Sequence, residues 1–583
     1  MTAQTPATDP LRWLRDARFG LFIHWGLYAS PHPPHWRPQE LEQQGEWIMY
    51  SARVPLDEYR RLADRFNPRE FDADTWVRMA RDAGMRYLVY TAKHCDGFAM
   101  YKSAHPYNLV DATPFGRDPL RELADACQRH GLKLGLYYSQ AIDWEHPGAA
   151  RWHALPPEAR PGFARYLEEK AFPQVRELLI GYGPIALLWF DNPTTITAEQ
   201  SQALRRLAKS LQPDCLINSR IGHGAGDYGS LGDNMIPGQA GRGLLECPAT
   251  LNDTWGYLPH DRNWKSASEL VRQLVTLADR DANYLLNVGP TARGTFPRAT
   301  VTRLRRIGAW MRRHGEAIYG SAGNPFPAPF PWGRVTTKPG CVFLHVFGWP
   351  AGGRLVLRGL RNRVTGAVLL ARPDKALAFR QGLVAGTDVP ELELTLPPRA
   401  PDPQVSVIAL AAEGPPDVDV RLLQDADGNI ELTAGRAERL ADGTAAPPRL
   451  DPGLGVTAGW TSPAQWLRWR FVVTRPGHYE AELVTRNSQH VASAPRWLGG
   501  HRVALRCADR TLTSEVRADR PGGGPRARYH AEAATLLGEV EFPAPGECAI
   551  ELRAELIEPA VPWGLSVDTL RLTPVEAVGA ADT

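Results

Sequence analysis

The chain is poor in the features that commit a sequence to a membrane, a nucleic acid or a disulfide framework. Its 583 residues contain no long apolar run despite 43% hydrophobic content. That excludes a transmembrane helix and describes a soluble, multidomain chain too long for one core. Net charge is only +3, with arginines and acids interspersed and no basic run, so neither nucleic acid nor an acidic membrane has an electrostatic footprint. The seven cysteines are odd in number and lack Cys-x-x-Cys spacing, which fits reduced thiols better than disulfides or a zinc site. No Gly-x-Gly-x-x-Gly turn follows the first strand and no Walker-type loop occurs, so a nucleotide site has no motif to rest on. Residues Met1 to Pro10 lack the apolar core of a secretory leader, and the reading is cytoplasmic.

What is present, over the first 320 residues or so, is one pattern repeated: an amphipathic helix, a glycine, then a short apolar strand. Trp76, Met79, Ala80 and Ala83 fall at helical spacing, Gly84 closes the helix, and Tyr87-Leu88-Val89-Tyr90 extends away. Leu120, Leu123, Ala124 and Cys127 lead through Gly131 into Leu132 to Tyr138. Val175, Leu178 and Leu179 lead into Leu187-Leu188-Trp189-Phe190-Asp191. Leu204, Leu207, Ala208 and Leu211 precede Cys215-Leu216-Ile217-Asn218, and Leu270, Leu274 and Leu277 precede Tyr284 to Val288. With Phe19 to Gly26 as an opening strand, the count approaches the eight of a (β/α)8 barrel.

Polar or aromatic groups recur at the strand ends: His24 and Trp25, His94, Tyr137 and Tyr138, Asp191, Arg220. In a barrel these converge on one mouth, where such folds keep their chemistry. Asp191, a carboxylate ending a wholly apolar strand, is the first catalytic candidate. The alternative for any one of these residues is a cap or a structural hydrogen bond. Together they outline a small polar pocket with aromatic walls, the composition of a sugar site. His24 and His94 have no clustered acid or cysteine beside them, so no metal is expected.

Several longer motifs appear in register: Arg18 to Gly26, Thr91-Ala92-Lys93-His94-Cys95-Asp96-Gly97-Phe98, Leu188 to Asp191, Asn218-Ser219-Arg220, Trp255-Gly256-Tyr257, Leu285 to Pro290 and Gly315 to Gly320. They resemble the α-L-fucosidases of glycoside hydrolase family 29 over roughly residues 10 to 410. The resemblance implies that Asp191 is the nucleophile of a retaining exo-fucosidase and forms a covalent fucosyl-enzyme. It implies that His24, Glu46, Trp47, His94, Tyr137, Trp189 and Arg220 hold the sugar and that Trp255 walls the pocket. Fucose carries three hydroxyls and an apolar methyl, which calls for imidazole and carboxylate partners opposite aromatic faces. Arg220 is well typed to keep Asp191 ionised.

A retaining glycosidase needs a second carboxyl about 5–5.5 Å from the first. In the family it lies on a variable loop after the Asn-Ser-Arg strand, and here Asp233 is the first choice, with Glu246 after Leu244-Leu245 as the rival. Asp227, in its glycine-rich turn, reads as a backbone-bonding residue. Two departures from the family pattern stand out. Cys95 takes the place of a second histidine, and Asn192 that of a glycine after the nucleophile. A third, Asp281-Ala282-Asn283, replaces a Gly-Gly-Asn turn. Neither Asn192 nor Asp281 is expected to touch the chemistry directly.

Beyond the barrel the texture becomes short alternating stretches broken by glycine and proline, such as Cys341 to Phe347, Trp466 to Val473, Gly477 to Val484 and Val567 to Leu572. The expected organisation is a catalytic (β/α)8-like barrel over 1–323, a β-sandwich over 324–412, and a C-terminal β jelly-roll of carbohydrate-binding type over 413–583. Trp460, Trp497 and Trp563 either present aromatic faces to glycan or pack structurally, the second reading being favoured. The function expected is hydrolysis of terminal α-L-fucose from a fucosylated oligosaccharide or glycoside, without cofactor, by a chain compatible with a homo-oligomer. The alternatives are a non-catalytic glycan-binding protein and a related hydrolase of α-L-galactosides.

Overall fold

A computed structural model of the chain describes residues 9–36, 45–150, 160–238, 240–241, 243–451, 455–488, 497–522 and 530–575. Residues 1–8, on which the absence of a leader was read, lie outside them. Among the described residues no helix is long and apolar enough to cross a membrane. The chain divides into two compact units, Met1–Asn234 with Arg242–Ser321, and Met235–Gly241 with Ala322–Thr583.

In the first unit eight strands lie parallel: β1 Phe19–Ile23, β2 Tyr87–Lys93, β3 Lys133–Ser139, β4 Leu187–Asp191, β5 Leu216–Ile217, β6 Gly229–Ser230, β7 Leu245–Thr250 and β8 Ala282–Val288. Their order is β5-β4-β3-β2-β1-β8-β7-β6. A parallel bridge between Asn218 and Tyr228, with the Asp227 N–H donating to the Ile217 carbonyl, joins the two edges and closes the sheet. The strands are apolar throughout because both faces are covered: β1 and β2 are buried at every residue.

The intervening helices start where the sequence provides caps. Asp72 accepts from the Thr75 N–H before helix Ala73–Asp82, whose Trp76, Val77 and Ala80 are buried. Thr197 with Gln200, and Ser266 with Glu269, form reciprocal capping boxes ahead of Ala198–Leu211 and Ala267–Asp279. Each such cap contributes about 1 kcal/mol. One helical rod is irregular: Arg160–Tyr166 passes through a π-helical turn, Leu167–Ala171, into Phe172–Gly181. Pro173 lacks the N–H that would bond to the Glu169 carbonyl, so the wide turn falls where a regular ladder would be broken.

Among the described residues the second unit is all β apart from short turns. A five-stranded sheet (Gly333–Lys338, Cys341–Val346, Val364–Leu369, Arg372–Ala376, Ser406–Ala412) and a three-stranded one (Arg354–Arg358, Phe379–Leu383, Pro390–Thr395) enclose a core built around Val335, Leu344, Leu357, Leu394 and Ile408. After these come a six-stranded and a five-stranded sheet around a separate core containing Trp469, Phe471, Leu483, Leu505, Ile550 and Leu570. The long strands Gln465–Val473, Gly477–Ser488 and Val567–Pro574 coincide with the alternating stretches read from the sequence. Trp460 belongs to this core at 0% exposure, which removes it as a surface platform. Trp497 packs against the same core and donates its indole N–H to Thr485 Oγ1, and Trp563 is half-buried.

Candidate active site

The carboxyl ends of the parallel strands gather most of the residues expected at the site. Asp191 closes β4, and two hydrogen bonds fix the residue before it: the Phe190 N–H donates to Asn218 Oδ1 at 2.9 Å, and Asn218 Nδ2 donates to the Phe190 carbonyl at 3.0 Å. Asn218 thereby continues with its side chain the ladder that the two-residue strand β5 leaves off. Asp191 Oδ2 accepts from the Tyr137 hydroxyl at 2.9 Å. Its Oδ1 pairs with Arg220 Nη1 at 3.0 Å, while Arg220 Nη2 pairs with Asp233 Oδ1 at 2.6 Å and bonds to the Leu231 carbonyl at 2.8 Å. Burial disfavours the charged guanidinium, but the two carboxylates outweigh it and raise its pKa. The Arg220 guanidinium also lies 4.7 Å over the Trp189 ring.

Facing this pair is a ring of mostly aromatic walls. The Tyr137 ring stacks on His94 at 5.3 Å and on Trp189 at 5.8 Å, and His24 packs 5.1 Å from Trp255. Trp47 meets His94 edge-on at 6.4 Å. His24 Nδ1 lies 2.7 Å from Asn287 Oδ1, and the Asn287 amide donates to the Trp255 carbonyl. Since Oδ1 can only accept, Nδ1 carries the proton and Nε2 is left as an acceptor. Burial lowers the His24 pKa to about 4 and holds His94 well below the usual range, so both rings are neutral near pH 7.

Glu46 accepts from the Gly256 N–H at 2.9 Å through Oε2. That approach needs a residue without a side chain, because a Cβ at Gly256 would stand 2.9 Å from the Tyr28 ring and 3.2 Å from the carboxylate. Burial pushes the Glu46 carboxyl up to about 7 against the backbone bonds that lower it. Glu46 Oε1 and His94 Nδ1 are buried with no hydrogen-bond partner among the described residues. Buried polar atoms are rarely left so, and a hydroxylated ligand would satisfy both.

The structure separates the two carboxyls weighed as acid/base. Asp233 stands at the mouth with its side chain 36% exposed. Glu246 is the second residue of β7, at 0% exposure, inside the barrel. It accepts from Tyr87 Oη at 2.5 Å, Trp189 Nε1 at 2.8 Å and Tyr228 Oη at 3.3 Å. Burial raises its pKa against those three donors. Its visible work is to hold the Trp189 indole. Asp227 is tied into the backbone, accepting from the Ile217 N–H and pairing with Arg205 and Lys209.

Residues 2–316 match the family model for alpha-L-fucosidase. The chain belongs to the alpha-L-fucosidase family. It is similar along nearly its whole length to an alpha-L-fucosidase from Vibrio sp. strain EJY3, at 31% identity and a TM-score of 0.83, covering 98% of this chain and 99% of that one. Among curated proteins, the alpha-L-fucosidase of Dictyostelium discoideum is 28% identical over 67% of this chain and 89% of its own length. A GH29 alpha-L-fucosidase from Bacteroides thetaiotaomicron, solved as a trapped covalent intermediate with 2-fluoro-fucosyl fluoride, is 27% identical with a TM-score of 0.63, covering 71% of this chain and 98% of that one.

Several members of this fucosidase site were not singled out from sequence. Asn218, Gly256 and Asn287 each lay inside a quoted motif, but their roles rest on which backbone they meet. Asn192, read from sequence as standing off the chemistry, has its amide Nδ2 3.4 Å from Asp191 Oδ2. Both Asn192 and Asp281 adopt left-handed backbone, at φ 56° and 58°. Asn and Asp tolerate this conformation better than other residues with side chains, so each serves a turn that glycine takes in the family pattern.

Proposed function

We propose that this alpha-L-fucosidase hydrolyses terminal α-L-fucosides with retention, using Asp191 as nucleophile and Asp233 as acid/base. The observation that carries this is the single guanidinium of Arg220 bonded to both carboxylates. Groups on the two ends of one guanidinium sit close, on the order of the 5–5.5 Å of retaining enzymes rather than the wider gap of inverting ones. The covalent intermediate trapped in the Bacteroides relative supports the same course.

In the first step an Asp191 oxygen attacks C1 as the bond from C1 to the aglycone oxygen breaks. The bonding pair leaves with that oxygen, which takes the proton of Asp233. Water then attacks C1 of the ester, gives its proton to the Asp233 carboxylate and releases Asp191. One water is consumed and two inversions return the original anomer. Arg220 serves both halves: once esterification removes the charge on Asp191, the cation faces Asp233 alone and favours the ionised form that must act as base. His24 Nε2, His94 and Glu46 are proposed to hold the hydroxyls, with Trp47, Tyr137, Trp189 and Trp255 around the ring and methyl. We assign residues 1–323 to the catalytic barrel, 324–412 to the sandwich and 413–583 to the C-terminal β module, an assignment supported by the two separate β cores. Seven free thiols support a reducing compartment.

The test is hydrolysis of 4-nitrophenyl α-L-fucoside and a fucosylated disaccharide, followed by NMR. Wild type should release the α-anomer first, and Asp191→Asn should lose at least ~10⁴-fold in kcat. First release of the β-anomer would sink the retaining reading. Asp233→Ala should slow the disaccharide far more than the aryl fucoside, with azide restoring part of the latter. Equal losses on both would remove Asp233 from the acid role.

A further inference from the structure

Two departures from the family pattern, Cys95 and Asn192, are 97 positions apart in sequence and in contact in space. Asn192 Nδ2 lies 3.3 Å from Cys95 Sγ, 3.2 Å from Ser139 Oγ and 3.4 Å from Asp191 Oδ2. The Ser139 hydroxyl donates to the Ile142 carbonyl at 2.8 Å, so toward Asn192 its oxygen accepts. Cys95 Sγ, at 0% exposure, sits 3.5 Å from the same oxygen. An amide has two N–H groups. One is taken by the Ser139–Cys95 pair, and the other points at the carboxylate oxygen that Tyr137 also holds.

We propose that Cys95 and Asn192 are a matched pair, in which the small thiol leaves the volume that the Asn192 side chain fills, and that the amide placed there is a positioning residue for the Asp191 carboxylate. The second half rests on Asp191 being the nucleophile. Size argues for the match. A longer side chain at position 95 that kept the direction of Sγ would reach into the space of the Asn192 amide, 3.3 Å away. Glycine at 192 would relax the left-handed backbone, but it would empty that space and remove a donor beside the carboxylate. Although residue 192 is only half-buried, its amide is turned inward to Ser139, Cys95 and the Asp191 carboxylate rather than toward solvent.

The experiment is a double-mutant cycle of Cys95→His and Asn192→Gly, read by kcat/KM on α-L-fucosyl fluoride, whose leaving group needs no acid, and by the urea midpoint of all four proteins. Each single substitution should lose ~10-fold or more in kcat/KM, and the double, which still lacks the amide, should stay ~10-fold or more below wild type. The midpoints should behave differently, falling in each single and returning toward wild type in the double. Midpoint losses that simply add in the double overturn the match. Recovery of activity along with the midpoint, in a protein without the amide, overturns the positioning half. A third variant, Asn192→Asp, keeps the size but sets a second carboxylate beside the first, and should move the acidic limb of the kcat/KM profile to higher pH. An unmoved limb shows that this side chain does not reach the nucleophile and also overturns positioning. Should wild type fail to turn over the fluoride at all, the fucosidase reading fails, while the midpoint cycle still decides the packing match.

Discussion

Lys93 and His94 are neighbours at the end of one strand, yet they enter two buried polar clusters built on opposite principles. On the Lys93 side every charge is answered. Lys93 Nζ bonds to Asp143 Oδ2 and the Tyr166 hydroxyl, and Lys170 Nζ bonds to Asp143, Glu145 and the Gly97 carbonyl, with both lysines and Asp143 at 0–1% exposure. Burial would raise the Asp143 pKa, but two lysines beside it lower it. On the His94 side, Glu46 Oε1 and His94 Nδ1 face no partner among the described residues. The two neighbours thus present a charge that is fully paired and a ring nitrogen that, among the described residues, is not. Burial alone does not distinguish them; satisfaction does.

The comparison breaks most visibly at Asp143. Asp143→Ala leaves two buried ammonium groups without their shared counter-charge and should cost about 3–5 kcal/mol in urea unfolding. A loss below ~1 kcal/mol would mean that the lysines escape to solvent and that the cluster is no scaffold. A smaller effect of opposite sense is expected on the pocket side. Glu46 has a folded pKa raised from 4.5 to about 7, so the native state keeps a proton that the unfolded chain gives up. Its contribution to stability is fully present below pH 4.5 and is lost as pH rises to about 7. Glu46→Gln cannot lose that proton, and relative to wild type it should gain about 3 kcal/mol between pH 4 and pH 8 while kcat/KM falls ~10-fold or more. Parallel stability curves for the two proteins would show that burial does not hold the Glu46 proton. The smallest change is expected for Glu246→Gln, which keeps an acceptor for the Trp189 indole inside the barrel and should lower kcat/KM by less than ~10-fold. A loss comparable with that of Asp233→Ala would return Glu246 to the reacting groups.

The barrel was legible because most of its strands are short, largely apolar runs and several of its helices end in glycine. β3, β4 and β8 were each visible within a residue or two, and β2 to within three. β6, Gly229–Ser230, was not, since two residues in a glycine-rich turn carry no periodicity. The depth of Glu246 in the barrel was not legible, because an apolar run does not reveal where its strand begins. With the strand starting at Leu245, residue 246 belongs to the closed interior. Asp191 and Arg220 could be typed from their positions at strand ends. Asn192, Asn218 and Asn287 could not, as an asparagine in sequence is equally a turn residue, and only the fold brings its amide to a particular carbonyl or carboxylate. Trp460 follows the reading favoured from sequence, structural packing, since it lies in the C-terminal core.

The wide turn at Leu167–Ala171 has a consequence for phase. Tyr166, Lys170, Gln174 and Leu178 succeed one another at strict four-residue steps, and all four are buried. In an ordinary α-helix each such step overshoots a full revolution by roughly 40°, so three steps would carry the last residue about a third of the way round the rod. The extra residue in the turn winds that excess back, and the row stays straight. Along it the Tyr166 hydroxyl meets Lys93, Lys170 meets Asp143, and Gln174 accepts from Tyr138. The rod therefore works as two screws of one pitch set deliberately out of step, and a single-residue deletion between Tyr166 and Pro173 would turn one end of that row away from the strands it serves.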